Sequence, residues 1–459
     1  MLSGKQHINV RVAQLDRASG YGPEGREFES CHVQRKESVR VPFFVEFCII
    51  RIGRCRCLKH QNPFVRLCGG RGRGMNQTYE LIAPCHFGLE AVLKREIYDL
   101  GYDICEVQDG RVSFLGDAEA ICRANLCLRS AERILLKAGS FHAESFEDLF
   151  QGTRGIRWQD FLPQNAKFWV AKAASVKSKL FSPSDIQSVM KKAMVDAMAQ
   201  SYGIQHFEED GDPYPVRVFI KNNEVTVAID TTGISLHKRG YRKLENGAPI
   251  AENLAAALLL LTPWKGNRIL VDPFCGSGTI PIEAAMIASG IAPGLFRSFT
   301  AQNWKHLIPE KTWEEVKEEM REEIDDHPET DIQGYDIDPE SISIAMINAK
   351  KAGVDHLIHF QTRDVKDLSH RKKYGFILTN PPYGERMGEE EELFSLYRTL
   401  GERFRALDSW SMYVITSYTE AEKAMGLKAQ KNRKIYNGMI KTFFYQFPGP
   451  KPPKGKSST

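Results

Sequence analysis

The residues best suited to chemistry form a short turn, Asn380-Pro381-Pro382-Tyr383, which follows the apolar segment 376–379. The two prolines fix the backbone and remove two N–H donors, so the carbonyl groups of the turn face outward. The side-chain oxygen of Asn380 and the carbonyl of Pro381 can accept both hydrogens of a planar amino group, and Tyr383 can stack on the attached ring. The turn predicts a site that directs an exocyclic amine at an electrophile. A turn stiffened only for structural reasons is the alternative.

A glycine-rich turn lies earlier in the chain. Gly276 and Gly278 belong to the segment Asp272-Pro-Phe-Cys-Gly-Ser-Gly-Thr279, between an apolar segment and a predicted helix over 280–289. Glycines at these positions permit a tight turn that brings the backbone close to a ligand. No Gly-Lys-Ser/Thr follows, which disfavours a nucleoside triphosphate, and the dinucleotide fingerprint is incomplete. By itself the turn is weak evidence for a cofactor site.

Three aspartates follow further predicted strands. A carboxylate at Asp336, where the next strand ends, can accept both hydrogen bonds of a ribose diol. Asp338 precedes a proline and is expected to cap the helix that runs to residue 352. Asp364 follows the third strand and can accept from an adenine amino group, although a solvated turn has the same pattern.

These motifs can form a single site only if the fold brings them to the same edge of a sheet. From about residue 241, predicted strands alternate with helices, which is typical of an α/β protein with a parallel, doubly wound sheet. The strands are predicted at residues 268–271, 332–335, 358–361, 376–379, 411–415 and 441–447. The carboxyl ends of such strands form a ligand crevice, so the motifs are expected to meet there. In the insertion 291–331, the charges of a helix from 310 to about 326 are expected to solvate its outer face.

The region before residue 241 predicts two small α+β units, over residues 75–139 and 140–240. The first contains strands at 79–83 and 110–115 and helices at 88–100 and 117–127. The second contains a strand at 167–173, a helix capped by Ser182 that runs to residue 202, and hairpin strands at 216–220 and 224–229 joined at Asn222-Asn223.

The net charge is unevenly distributed. Residues 1–74 hold 14 Lys or Arg and 6 Asp or Glu, so residues 75–459 carry −4 although the whole chain carries +4. Segment 12–31 resembles the peptide obtained when a transfer-RNA gene is translated. We predict that translation starts at Met75 and that residues 1–74 are a non-native or disordered extension; a nucleic-acid-binding basic arm is the alternative. The Pro/Lys-rich tail 448–459 is predicted to be disordered.

Composition excludes several classes of protein. No apolar run approaches the roughly 18 residues of a membrane span. The ten cysteines lack the paired spacing of a zinc site, so no metal is expected. Reduced thiols and a cytoplasmic location are the simplest interpretation. The sequence leaves the oligomeric state open.

In their order along the chain, the motifs resemble class I S-adenosylmethionine-dependent methyltransferases that modify amino nitrogens. Segments 237–242 and 248–258 resemble the linker and first helix of THUMP-domain RNA guanine-N2 methyltransferases, and 291–304 is similar to that family's insertion. The resemblance covers 75–447 and implies a ferredoxin-like unit, a THUMP unit and a Rossmann-like methyltransferase domain at 241–447. The relatives it implies are bacterial enzymes that methylate a guanine of large-subunit (23S) ribosomal RNA, with a tRNA-acting branch nearby.

The resemblance also implies roles for individual residues. S-adenosylmethionine would be contacted by Asn253, Asp272, Phe274, Gly276, Gly278, Asp336 and Asp364. Catalytic contacts would come from Asn380, Pro381, Pro382 and Tyr383, with the target base extruded and its N2 held in line with the methyl group. No general base is identified.

Binding of RNA by an acidic chain requires a local basic surface. The candidate residues in or near the second unit are Lys172, Lys177, Lys179, Arg217, Lys221, Lys238, Arg239 and Arg242. Phe181 is either a stacking partner for a base or part of the core.

Other functions share these motifs. A protein-glutamine methyltransferase or a DNA adenine-N6 methyltransferase can carry the same turn, and an RNA-binding module with an inactive methyltransferase fold is the non-enzyme alternative. Two small mixed units before the catalytic domain favour folded RNA as the substrate.

Overall fold

The computed structural model describes residues 77–242, 249–383, 390–438 and 440–453. The predictions for residues 1–74, including the start at Met75, and for the last six residues of the tail lie outside these ranges. Residues 448–453 form neither helix nor strand. Within the described ranges, none of the helices is both long enough and apolar enough to cross a bilayer.

The first part of the chain forms a seven-stranded sheet with helices packed on it. Its elements are β1 (Tyr79–Pro84), α1 (Glu90–Asp99), β2 (Ile104–Gln108), β3 (Arg111–Gly116), α2 (Ala118–Cys127), β4 (Leu135–His142), α3 (Phe146–Arg154), β5 (Lys167–Val176), α4 (Pro183–Tyr202), β6 (Pro213–Lys221) and β7 (Glu224–Asp230). The strand order is β2-β3-β1-β4-β7-β6-β5.

Strand β4 joins the two predicted units into this one sheet. It pairs with β1 through Leu135 and Leu136, and with β7 along its whole length. The boundary predicted between residues 139 and 140 therefore falls inside a strand. Spacing along the chain reveals strands, but only the folded backbone decides which strands share hydrogen bonds.

Two local predictions in the second unit have different outcomes. The hairpin turn at Asn222-Asn223 is confirmed, since both residues have the positive φ of a tight hairpin turn. Ser182 precedes α4 as predicted, but its side chain does not cap the helix. Its hydroxyl oxygen instead lies 3.2 Å from that of Ser184.

The second part forms the predicted doubly wound sheet. Its elements are α5 (Glu252–Leu261), β8 (Leu270–Asp272), α6 (Thr279–Ala288), α7 (Glu310–Glu322), β9 (Ile332–Asp336), α8 (Pro339–Ala352), β10 (Ile358–Thr362), β11 (Phe376–Thr379), α9 (Glu390–Ala406), β12 (Ser411–Thr416), α10 (Ala421–Met425), β13 (Lys431–Asn437) and β14 (Ile440–Phe447). The order is β10-β9-β8-β11-β12-β14-β13, and β14 runs antiparallel to both of its neighbours. The polar segment that forms β13 was not predicted as a strand.

The insertion between α6 and β9 packs on the N-terminal sheet rather than standing apart. The Trp304 ring stacks on Tyr214 with centroids 4.7 Å apart, and its indole N–H donates to the Pro213 carbonyl over 3.1 Å. The charged helix α7 exposes most of its charges, as expected, but also buries Trp313 and forms an ion pair between Glu319 and Arg123 of α2. The insertion therefore ties the two parts of the chain together.

Replacing Trp304 by alanine is expected to destabilise the protein by about 3–5 kcal/mol, because a fully buried indole is lost from a core that both parts share. Thermal and urea unfolding followed by fluorescence would measure the change. Phe296→Ala is the matched control, since this insertion residue is 68% exposed. Equal midpoints for the two variants would contradict the bracing role of the insertion.

Candidate active site

A cavity of about 330 Å³ lies at the carboxyl ends of the central parallel strands, a volume within the range of small-molecule sites. Residues from the two sequence-predicted turns and from the start of α5 and α6 form its wall. The lining residues are Pro249, Ile250, Asp272, Phe274, Cys275, Gly276, Ser277, Thr279, Ile280, Asn380, Pro381, Pro382 and Tyr383.

The pairing of β8 with β11 brings the two turns together. These strands are adjacent and parallel, so the residues that follow them emerge at the same edge. The Thr379 hydroxyl, at the end of β11, donates a 2.6 Å hydrogen bond to the Asp272 carboxylate at the end of β8. The amide of Phe274 donates to the same oxygen over 3.2 Å. Asp272 therefore fixes the glycine-rich turn relative to the Asn380 turn.

Asp272 is almost completely buried, with 2% of its surface exposed. Burial disfavours the charged carboxylate and raises its pKa to about 7, although the hydrogen bonds from Thr379 and Phe274 oppose this shift. A carboxyl group that titrates near neutrality inside a cavity is typical of a binding or catalytic position.

Backbone geometry explains the glycines of the turn. Gly276 has φ +51°, and a Cβ built on it would meet no atom within 4 Å. Gly278 has φ +84°, and a Cβ there would lie 2.9 Å from the Ala345 Cβ in α8. The Gly276 amide donates to Asp336 over 2.9 Å, which holds the turn against the end of β9. Gly276 therefore leaves space at the cavity wall, whereas Gly278 allows close packing behind it.

The Asn380 turn is supported from α9. The hydroxyl of Tyr397, a fully buried residue, donates to the Pro382 carbonyl over 3.2 Å and lies 2.6 Å from the Thr416 hydroxyl. Asn380 and Tyr383 are partly exposed and line the cavity, whereas Pro381 is buried. The arrangement leaves an asparagine and a tyrosine at the cavity wall.

The donor set of the cavity fits S-adenosylmethionine, which combines cationic, carboxylate, hydroxyl and aromatic groups. The Ser277 hydroxyl is buried in the wall and has no hydrogen-bond partner among the described residues, so it can bond a polar ligand atom. The Asp272 carboxylate can accept from an ammonium group. Ile250, Ile280 and Phe274 provide an apolar surface.

Comparison with protein families matches this chain in three consecutive segments. Residues 80–135 match the RlmL ferredoxin-like domain, 143–230 the THUMP domain and 239–446 the RMKL-like methyltransferase domain. The chain is 46% identical over 374 residues to "Putative RNA methyltransferase YpsC" of Bacillus subtilis, covering 81% of this chain and 96% of that protein. This chain belongs to the RMKL-like methyltransferase family.

Two further similarities bear on this methyltransferase. A ribosomal RNA large subunit methyltransferase K/L of Cellvibrio japonicus is 35% identical over 390 residues; the match covers 80% of this chain but only 51% of that protein, so this chain spans about half its length. The crystal structure of SMU.472 complexed with SAH is 40% identical, with a TM-score of 0.78, and covers 83% of this chain and all of that chain. The predicted fold class, with ferredoxin-like, THUMP and methyltransferase parts, is thus confirmed.

Four of the residues that were predicted to contact the cofactor do not line the cavity: Asn253, Gly278, Asp336 and Asp364. Asn253 is fully buried, with its side chain 3.4 Å from both the His86 ring and the Ala131 carbonyl, so it joins α5 to the N-terminal part. In this structure Asn253 faces the N-terminal part rather than the cavity, and its contact with the cofactor stays a prediction. Neither the residue type of Asn253 nor its position in the sequence indicates that it contacts His86 and Ala131.

The two aspartates lie outside the cavity wall. Asp336 accepts from the Gly276 and Asp338 amides and thereby supports the turn. Asp364 accepts from the Lys366 amide over 2.9 Å, and this bond is the main reason why its pKa is lowered. Their contacts to ribose and adenine stay predictions. The helix-capping role of Asp338 is confirmed, since it accepts from the amides of Glu340 and Ser341.

Three arginines of the predicted RNA surface have internal partners instead. Arg239 is 4% exposed, pairs with Glu283 of α6 and donates to the carbonyls of Leu236 and Arg129. Arg242 has a 6% exposed side chain that bonds the Thr279 hydroxyl over 2.7 Å. Arg217 pairs with the buried Asp230 over 2.8 Å. The buried side chains of Arg239 and Arg242 contradict the prediction that these two contact phosphate, whereas a phosphate contact of Arg217, whose side chain is 16% exposed, stays a prediction.

The other RNA candidates are at the surface. Lys172, Lys177, Lys179, Lys221 and Lys238 are exposed, and Phe181 is 81% exposed, so it is not part of the core. Lys179 also pairs with Glu144 over 2.5 Å.

Sequence reasoning overlooked Thr379 and Ser277, which build the site, and gave Arg242 a different role. Thr379 fixes Asp272, Ser277 offers its hydroxyl to the cavity, and Arg242 holds Thr279 in the wall. Two features of the sequence could have pointed to this part of the site. Thr379 is a polar residue at the end of an otherwise apolar strand, and Ser277 and Thr279 are hydroxyl residues within the glycine-rich turn.

Proposed function

We propose that this methyltransferase transfers a methyl group from S-adenosylmethionine to the exocyclic N2 of a guanine in 23S ribosomal RNA. The observation that carries the proposal is that the amine-accepting turn and the glycine-rich turn line the same cavity. The THUMP match and the names of the K/L relatives support RNA, and specifically large-subunit RNA. The SAH complex of SMU.472 supports the cofactor, since SAH is what remains after methyl transfer.

The proposed mechanism depends mainly on positioning the target amine. An aryl amine is a poor nucleophile because its lone pair is conjugated with the ring, so its approach must be fixed. Tyr383 stacks on the extruded guanine, and Asn380 Oδ1 and the Pro381 carbonyl accept the hydrogens of N2. These acceptors stabilise the positive charge that develops on the nitrogen. Asp272 and Ser277 would bind the polar groups of S-adenosylmethionine, which would supply the methyl group and leave as SAH, and the proton displaced from N2 would pass to solvent.

A deletion strain of the source organism tests the proposal most directly. Modified-nucleoside maps of 23S RNA and tRNA are compared with those of the wild-type strain, and plasmids carrying wild-type or Asn380→Ala protein are introduced. We expect one N2-methylguanosine to be lost from 23S RNA and restored by the wild-type plasmid alone. Loss from tRNA with an unchanged 23S map would instead identify the tRNA-acting alternative. Purified protein with labelled S-adenosylmethionine and either duplex DNA or a release-factor peptide tests the other two substrates.

The raised pKa of Asp272 predicts a pH dependence of cofactor binding. Below about pH 7 the carboxyl is protonated and accepts poorly from an ammonium group, so SAH affinity is expected to fall by up to about tenfold per pH unit. For the stability of the ligand-free protein, the effect of pH has the opposite sign. A folded pKa above the unfolded value favours folding at acid pH, and this contribution is lost as pH rises towards 7.

Asp272→Asn should therefore bind SAH weakly at every pH and unfold at a higher temperature than wild type at pH 8. Calorimetric titration and thermal unfolding between pH 6 and 8.5 measure both effects. Asp408→Asn is the control, since Asp408 is exposed, pairs with Lys373 and lies outside the cavity. A pH-independent SAH affinity in the wild type would contradict this role of Asp272.

A further inference from the structure

The hairpin formed by β13 and β14 presents a surface that the proposed mechanism does not use. We call it the hairpin ledge and define it by Phe87, Lys434, Tyr436 and Lys441. In the register of the hairpin, Tyr436 lies opposite Lys441, and Lys434 lies opposite Phe443. Alternate residues of a strand face the same side, so these hairpin residues share one face.

The ledge lies at the edge of the sheet from which the catalytic turn emerges. Phe443 pairs with Thr416, the last residue of β12, and β12 pairs with β11, which ends at Thr379 just before Asn380. Neighbouring strands are about 4.8 Å apart, so β14 and β13 lie two and three strands, or roughly 10 and 14 Å, from the strand that carries the turn. A few nucleotides can span that distance.

Aromatic rings and lysines alternate on the ledge. Lys434 Nζ lies 5.2 Å from the Tyr436 ring centroid, and Phe87 meets the Tyr436 ring edge-on with centroids 6.3 Å apart. Phe87 is 47% exposed, and both lysines are exposed. Lys441 Nζ likewise lies 5.0 Å from the Phe443 ring centroid, and no carboxylate of the described residues pairs with either lysine.

The ledge is held rigidly from the N-terminal part. The His86 ring lies 3.0 Å from the Tyr436 carbonyl and 3.4 Å from Asn253 Oδ1 in α5. A Cβ on Gly88 would lie 2.9 Å from the Lys434 carbonyl, which shows how closely the loop packs on the hairpin. A surface fixed in this way loses little conformational entropy when it binds a ligand.

An exposed ring and a partly exposed ring beside two exposed lysines suit single-stranded nucleic acid. Bases stack on aromatic side chains, and lysines bind the phosphates between them. We propose that the hairpin ledge binds the unpaired RNA segment adjacent to the target nucleotide, with a base stacked on Phe87 beside Tyr436 and phosphates at Lys434 and Lys441. The inference rests on the proposed RNA substrate and extends RNA binding from the THUMP part to the catalytic domain.

The test compares the wild type with a Lys434→Gln, Lys441→Gln double variant. Affinity for 23S RNA transcribed in vitro is measured between 0.05 and 0.3 M salt, together with KM for methylation and Kd for SAH. We expect RNA affinity to fall at every salt concentration. The slope of log affinity against log salt should be shallower by about 1.4, for two phosphate contacts at about 0.7 each. SAH binding should be unchanged.

Phe87→Ala tests the stacking separately and should raise the RNA Kd about fivefold or more, since stacking contributes about 1–3 kcal/mol per base. Lys431→Gln is the matched charge control. Lys431 is exposed on the same strand, but it pairs with Gln446 at the end remote from the catalytic edge. It should behave as the wild type.

The outcomes separate this inference from the proposed function. If the wild type neither binds nor methylates 23S RNA, the proposed function fails. If the wild type methylates 23S RNA and the double variant keeps the same affinity and salt slope, the ledge is not an RNA site. An equal effect of Lys431→Gln would also overturn the inference, because the loss would then reflect net charge alone.

Discussion

Replacing Asn380 by alanine is expected to lower the rate of methyl transfer by about 10²–10³-fold or more and to change SAH affinity less than twofold. Asn380 lines the cavity, and under the proposed function its side-chain oxygen would accept from the amine that is methylated. Its loss removes an interaction that strengthens as charge develops on the nitrogen. A radiometric assay with 23S RNA measures the rate, and calorimetry measures SAH binding.

The matched control is Asn303→Ala, which removes an amide from an exposed position of the insertion. It should retain wild-type activity. An equal loss of SAH binding and activity in Asn380→Ala would mean that Asn380 maintains the cavity and does not act on the amine. An active Asn380→Ala protein would remove the main support for an amine substrate.

The second large effect is expected for Gly278→Ala. Alanine at φ +84° is strained by about 1–2 kcal/mol, and its Cβ would lie within 3.2 Å of Ala345 and Phe360. Relief of this overlap requires the turn that carries Gly276 and Ser277 to shift away from α8. SAH affinity should therefore fall at least about tenfold, with a parallel loss of methylation, and the thermal midpoint should decrease.

Gly353→Ala separates backbone strain from steric overlap. Gly353 ends α8 with φ +73°, and a Cβ there would have no atom within 4 Å. This variant should lose about 1 kcal/mol of stability and keep its SAH affinity. If both variants bind SAH as the wild type does, the close packing of Gly278 against α8 is not what shapes the cavity.

The basic residues show that the sequence does not predict which charged side chains are exposed and which are buried. Lys177 and Arg239 have the same formal charge and lie in similarly polar segments, yet Lys177 is exposed and Arg239 is buried against Glu283. The partner of Arg239 is 44 positions away in the chain and has no pattern that identifies it. Lys434 of the hairpin ledge was overlooked for the related reason that β13 reads as a polar loop, and Lys441 lies at the start of a strand that was predicted without its partner strand.

The sequence by itself determined the order of the six strands other than β13 in the methyltransferase domain, the capping role of Asp338 and the two turns that line the cavity. Each of these depends on residue types at short spacings, which act through local backbone geometry. Only the tertiary structure decided that β4 unites the two N-terminal units, that Asn253 faces His86, and that Thr379 bonds Asp272. Those contacts join residues 53 to 167 positions apart, and their energies depend on which groups folding brings within hydrogen-bond distance.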